Sequence, residues 1–159
     1  MRNKIIYLSH HLSDKTPLYG NGNGIKFSKD KQIINGDSCN TLNITLPNHS
    51  GTHIDFPYHF DLDGKTLNDY NAEDWEFNEI ELVDLTGQLN DGEIIDSKYF
   101  KDIMNKNVEL LIIKTGYGKF RGTNRYTLRA PGLSDGLASF FKKNFPKLRC
   151  IGMDLISIS

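Results

Sequence analysis

Apolar and polar residues alternate from Thr41 to Leu46, with Leu42, Ile44 and Leu46 on one side, which predicts a strand. Glu79–Leu85 and Val108–Ile113 predict two more. The second is almost wholly apolar and is expected to be buried on both faces. Lys4–Leu8 reads as a first strand and Arg149–Ile158 as a closing one. Asp96–Met104 carries Tyr99, Phe100 and Ile103 at helical spacing, with Asp96 or Ser97 placed to cap it. Ser134–Asn144 predicts a second helix, with Ser134 as N-cap and Leu137, Phe140 and Phe141 facing inward. Residues 20–24, Gly-Asn-Gly-Asn-Gly, would need a strand before them and a helix after them to cradle a phosphate. Ile25–Gln32 is short and mixed, so the run reads as a flexible turn. Strands dominate early and a βαβ-like order follows, so the expected fold is one α/β or α+β domain without linker or repeat. The sequence stops on an apolar strand, whereas termini are usually polar unless tied down, so further chain is expected to complete the domain.

Composition narrows the function. With 159 residues, 38% of them hydrophobic, the chain can bury a core, which excludes disorder, collagen and coiled coil. Nineteen basic against twenty acidic side chains leave no field favouring nucleic acid or an anionic membrane. Lys142, Lys143 and Lys147 form only a short patch, read as a solvated face. No apolar run approaches the ~20 residues of a membrane span. The first residues lack the apolar stretch and cleavage site of a signal peptide, so a cytoplasmic location is expected. Cys39 and Cys150 are too few for a disulfide framework, which agrees with a reducing compartment.

The chemistry concentrates in residues 49–60, His-Ser-Gly-Thr-His-Ile-Asp-Phe-Pro-Tyr-His-Phe, where three of the five histidines stand with a carboxylate. Imidazole plus carboxylate suits zinc, manganese or iron. His49, His53, Asp55 and His59 are separated by even offsets, so an extended chain would turn all four to one face. A straight strand would hold His49 and His53 ~13 Å apart, too far to share an ion. Gly51 offers the bend that would gather them. A helix would send Asp55 away from the histidines, and Gly51, Thr52, Ile54 and Pro57 disfavour one. Three histidines and an aspartate in eleven positions are hard to assign to packing, because each buried polar group needs its own partner. The competing reading is a set of structural or ligand-orienting histidines. Three ligands would leave positions open on the ion, as catalytic sites do, and a bound divalent ion activates water for hydrolysis. His59, beyond Pro57, suits proton transfer to a leaving amine or alkoxide, with a fourth ligand or an orienter of Asp55 as the alternatives.

The pattern His-x-Gly-Thr-His-x-Asp-x-Pro-x-His, present at His49, Gly51, Thr52, His53, Asp55, Pro57 and His59, resembles the signature of the cyclase family of metal-dependent hydrolases, which includes bacterial kynurenine formamidase and isatin hydrolase. Leu8-Ser9-His10, Thr16-Pro17-Leu18-Tyr19, Ile113-Lys114-Thr115-Gly116, Gly132-Leu133-Ser134 and Gly152-Met153-Asp154 with Ser157 resemble further family segments in the family's order. The resemblance implies a swivelling β/β/α fold and hydrolysis of an amide or lactam by metal-activated water. It implies His49, His53 and Asp55 as metal ligands, with Asp55 able to bridge a second ion, and His59 as general acid/base. Tyr19 falls where the family places an aromatic residue against the substrate ring; an ordinary half-buried tyrosine in a turn is the alternative. Relatives carry a further His and a Glu after the Gly-x-Asp-x-x-Ser strand, beyond Ser159 here, so a C-terminally truncated family domain is expected.

The expected activity is therefore that of an arylformamidase-like hydrolase, converting N-formylkynurenine to kynurenine and formate, with one or two Zn²⁺ or Mn²⁺ ions per chain. A homodimer or higher homo-oligomer is the expected assembly, with no nucleic-acid or membrane partner. The alternative is a non-catalytic metal- or ligand-binding member of the family.

Overall fold

The computed structural model describes residues 5–158. It is a mixed α/β structure that divides into two compact units, Met1–Asp55 and Phe56–Ser159.

In the first unit, strands β1 (Lys26–Lys29) and β2 (Leu42–Thr45) form an antiparallel pair, with Lys26 opposite Thr45 and Lys29 opposite Leu42. The predicted strand at 41–46 is thus present. Its partner lies in the segment read as short and mixed. Lys-Phe-Ser-Lys alternates too weakly to announce a strand, and pairing with β2 supplies the ladder bonds that propensity does not. The connection is closed by its own polar groups: the Lys31 amide donates to Thr41 Oγ1 and the Gln32 amide to Asp37 Oδ2. Both strands are exposed along their whole length, and among the described residues of this unit Thr16, Leu18, Ile25 and Ser50 are buried. The expected strand at 4–8 is not formed over residues 5–8, which are exposed; Lys4 lies outside the described residues. Without a neighbouring ladder, a short apolar run alone does not hold a strand.

The second unit is built on a parallel sheet of β3 (Ile80–Asp84), β5 (Leu110–Lys114) and β7 (Cys150–Met153), in the order β3-β5-β7. Register aligns Ile80 with Leu110 and Leu110 with Cys150. Central strand β5 buries Leu111 and Ile113 fully, while Leu110 and Ile112 on the opposite face are half-buried. Its near-continuous apolar run therefore reflects one deep and one shallow face, not burial on both. A second, two-stranded parallel pair joins β4 (Ile94–Ile95) to β6 (Gly132–Leu133). Helices α1 (Asn124–Leu128) and α2 (Gly136–Asn144) complete the unit. Phe100, Phe141 and Phe145 fill the core against Val108, Leu111 and Ile113, with Phe100 meeting Phe141 edge-on at a centroid distance of 5.0 Å.

Three boundaries shift for identifiable reasons. The helix expected over 96–104 is a single 3₁₀ turn, Ser97–Phe100, in which the Asp96 carboxylate accepts from the Lys98 amide as a cap. One turn suffices to bury Phe100 and Ile103, and so short a helix has little stability of its own. Helix α2 starts at Gly136 with Asp135 preceding it, and the Ser134 amide donates to the Ile95 carbonyl and extends the β4–β6 pairing. The Ser134 carbonyl accepts from the Leu137 amide, so the strand pairing and the first helical turn meet at this residue. Strand β7 stops at Met153, where β5 stops offering partners, and the chain returns so that the Leu133 amide donates to the Ile158 carbonyl.

Candidate metal centre

The stretch from Pro47 to Asp55 is neither helix nor strand, and its shape follows from a few local bonds. The buried Ser50 hydroxyl donates to the Pro47 carbonyl at 2.6 Å, closing the first bend. Gly51 then takes φ +69°, a left-handed conformation that costs L side chains about 1–2 kcal/mol. A Cβ at this position would stand 2.6 Å from Leu12 Cδ2, a side-chain end that can move aside, so torsion rather than space favours glycine. The Gly51 carbonyl accepts from His53 Nδ1 at 3.0 Å. Because a carbonyl can only accept, that bond places the His53 proton on Nδ1 and leaves a lone pair on Nε2.

The result is a convergence of donor atoms. His49 Nδ1 lies 3.2 Å from His53 Nε2 and 2.7 Å from Asp55 Oδ1, and His53 Nε2 lies 3.3 Å from the same oxygen. The imidazoles meet edge to face, 83° between planes. The expected ~13 Å separation of a straight strand has collapsed at Gly51. The three side chains are between 27% and 40% exposed, open enough for a small solute to reach.

The donor set fits a divalent cation. Two ligands each ~2.1 Å from a tetrahedral zinc stand ~3.4 Å apart, close to the 3.2 and 3.3 Å seen here. The 2.7 Å His49–Asp55 contact is instead a hydrogen bond. The Asn48 amide nitrogen lies 3.1 Å from His49 Nε2 and donates to it, so the His49 proton is on Nδ1 and points at Asp55. Cation uptake requires that proton to move to Nε2, with the Asn48 amide turned to present its oxygen. His49 and Asp55 belong to a group able to hold a metal ion.

His59 stands in the second unit, at the end of the 3₁₀ turn Pro57–His59, exposed, with its ring against Phe60. Tyr19 opens a separate 3₁₀ turn, Tyr19–Asn21, in the first unit and is 60% exposed. Asn48, Ser50 and the Gly51 carbonyl were not singled out from the sequence. Their signal was the run of turn-forming residues from Pro47 to Gly51, which marks a bend without saying which group each side chain meets.

Two segments noted for their resemblance meet inside the second unit. The Asp154 carboxylate accepts from the Thr115 amide at 2.7 Å, the Thr115 hydroxyl at 2.6 Å and the Gly116 amide at 2.8 Å. It thus clasps the ends of β5 and β7, which makes Asp154 a structural anchor. Elsewhere in this unit Asp91 accepts from Tyr117 Oη at 2.8 Å and Arg125 Nε at 2.6 Å. These bonds hold its carboxyl below the usual range, while burial and then the Asp91 bond push the Tyr117 phenol up.

Residues 6–159 match the profile of the family described as "Putative cyclase". The chain belongs to the cyclase family. It is 30% identical to the kynurenine formamidase of Bacillus mycoides (strain KBAB4) over 125 residues, which is 78% of this chain and 55% of that protein. It is also 30% identical to the kynurenine formamidase of Geobacillus thermodenitrificans (strain NG80-2) over 158 residues, 99% of this chain and 71% of that protein. The chain therefore spans about half the length of the Bacillus mycoides relative and more of the Geobacillus one. Two solved structures share the fold. A potential metal-dependent hydrolase with cyclase activity superposes with TM-score 0.72 at 20% identity, covering 95% of this chain and 67% of that one. A predicted metal-dependent hydrolase from Bacillus stearothermophilus gives TM-score 0.71 at 19% identity, covering 95% and 68%. Among the described residues no helix is long and apolar enough to cross a membrane.

Proposed function

We propose that this cyclase-family chain contributes a metal-dependent, arylformamidase-like hydrolase site, acting on the amide bond of a small aryl substrate such as N-formylkynurenine. The observation that carries this reading is the convergence of His49 Nδ1, His53 Nε2 and Asp55 Oδ1. His49, His53 and Asp55 would hold the ion, Zn²⁺ or Mn²⁺; when bound it lowers the pKa of water and polarises the scissile carbonyl. The His53 Nδ1–Gly51 carbonyl bond keeps the ring oriented and its Nε2 basic. His59 would act as general acid/base: its imidazole would take a proton from the water as the water oxygen joins the formyl carbon, and would give that proton to the departing nitrogen as the C–N bond breaks. The net reaction is amide plus water giving amine, formate and one proton released to solvent. Tyr19, largely exposed at its turn, would stack on the aryl ring. The swivelling β/β/α arrangement, a second ion bridged by Asp55, and a homodimeric or larger assembly belong to the same proposal.

The test uses purified chain loaded with Zn²⁺ or Mn²⁺. We expect formate release from N-formylkynurenine, and His53→Ala to abolish both metal binding and release. Metal bound at one ion per chain with no turnover of any aryl amide would establish the non-catalytic binding member instead. Unchanged activity in His53→Ala would refute the site.

A further inference from the structure

We propose that Gly64 and the aromatic trio Phe56, Tyr70 and Trp75 are positioning residues that fix the Pro57–His59 turn and thereby set the direction of the His59 ring; this rests on the acid/base reading of His59. The turn is bound from both sides. From within, the His59 amide donates to the Phe56 carbonyl at 2.8 Å, and the Phe60 and Asp61 amides both donate to the Pro57 carbonyl at 3.0 Å. From outside, the chain returns across it: the Tyr58 amide donates to the Lys65 carbonyl at 3.1 Å and the Gly64 amide to the Asp61 carbonyl at 2.9 Å. That crossing is so close that a Cβ on Gly64 would stand 2.5 Å from the Pro57 carbonyl carbon, 2.6 Å from the Tyr58 nitrogen and 2.8 Å from the Pro57 oxygen. All three are backbone atoms, which cannot swing aside as a side chain would, so any residue other than glycine must displace the turn.

Phe56, whose carbonyl begins the turn, is held by its ring. It packs on Tyr70 and Trp75 at centroid distances of 5.6 and 5.7 Å, and those two rings are 5.3 Å apart. Tyr70 and Trp75 sit at the ends of two 3₁₀ turns, each locked by a capping box: the Thr66 amide donates to Asp69 and the Asn71 amide to Asp74, both at 2.7 Å. None of the three aromatics belongs to the main core cluster. Their packing therefore serves the segment around His59 rather than the central sheet.

The experiment compares the full chain with Gly64→Ala, with Gly122→Ala as control, and with Trp75→Ala against Trp75→Phe. Gly122 has a positive φ, +84°, which Gly64 does not, and a Cβ there meets nothing within 4 Å, so its alanine carries torsional strain without moving a neighbour. We expect Gly64→Ala to shift the ¹H–¹⁵N resonances of residues 58–61 and the His59 ring signals, with Zn²⁺ stoichiometry unchanged. Where the parent turns over, kcat should fall about 10²-fold with KM unchanged, the scale of an ångström misplacement. Gly122→Ala should show neither effect. Trp75→Ala should reproduce both and Trp75→Phe should restore them, which keeps the proposal decidable if Gly64→Ala fails to fold. A zinc-loaded parent without turnover would remove the acid/base reading, leaving the resonances to decide whether these residues fix the turn. Resonances of 58–61 left in place by both Gly64→Ala and Trp75→Ala, or turnover undiminished by them, would overturn the proposal.

Discussion

Gly51 is the position at which backbone torsion converts most directly into chemistry. Its φ of +69° brings His49 Nδ1 to 3.2 Å from His53 Nε2. An L side chain pays about 1–2 kcal/mol in this region, while asparagine pays less because its short polar side chain tolerates it. In Gly51→Ala, the converged conformation therefore becomes a minor state, or is kept at that cost. A cation that selects the converged state binds more weakly in proportion to its lost population. One to two kcal/mol corresponds to about 5–30-fold in Kd, given tenfold per 1.4 kcal/mol. The contact with Leu12 Cδ2 adds little, since a side-chain end can move aside. Calorimetric titration with Zn²⁺ should give the order glycine tightest, asparagine intermediate, alanine weaker and β-branched valine weakest. Urea unfolding of the same proteins separates a loss of fold from a loss of site. Equal Zn²⁺ affinity in glycine, asparagine and alanine forms would mean that the bend is not what gathers the ligands.

Three other expectations follow from hydrogen bonding and burial. Asp154→Ala removes the acceptor for three backbone amides, those of Thr115, Gly116 and Gly118, and for the Thr115 hydroxyl, so urea unfolding should show a loss of about 3 kcal/mol at unchanged m-value; a Thr115→Val double-mutant cycle should show coupling between the two. Asp84 is held well below the ordinary carboxylate range, first by the Lys114 hydrogen bond and then by Thr86. Its folded pKa lies below its unfolded one, so its contribution is present above the unfolded value near 3.8 and is lost as pH falls toward the folded one. Asp84→Asn should accordingly be less stable than the parent at neutral pH, the gap closing on acidification; a gap that widens in acid would contradict the pairing. Both cysteines are free, but Cys39 is exposed whereas burial pushes the Cys150 thiol up. Alkylation followed by mass spectrometry should label Cys39 well before Cys150.

The sequence alone determined what can be written as local covalent pattern. Apolar alternation placed β2 and β3, and the apolar run placed β5 to within about two residues. The spacing of His49, His53 and Asp55 with glycine between the histidines implied a bent, non-helical cluster of donor groups, because torsional preference and side-chain reach are properties of a few consecutive residues. The histidine-rich motif also pointed to the family before any coordinates. Tertiary contacts decided the rest. Whether Lys26–Lys29 was a strand depended on β2, and the Ser134 amide finds its partner in the Ile95 carbonyl, 39 residues away along the chain. Gly64 gave no warning of its role, since the reason for its missing side chain is the Pro57–Tyr58 peptide folded back against it. Such decisions rest on hydrogen bonds and close approaches between segments distant in sequence, and no window of neighbouring residues contains both partners.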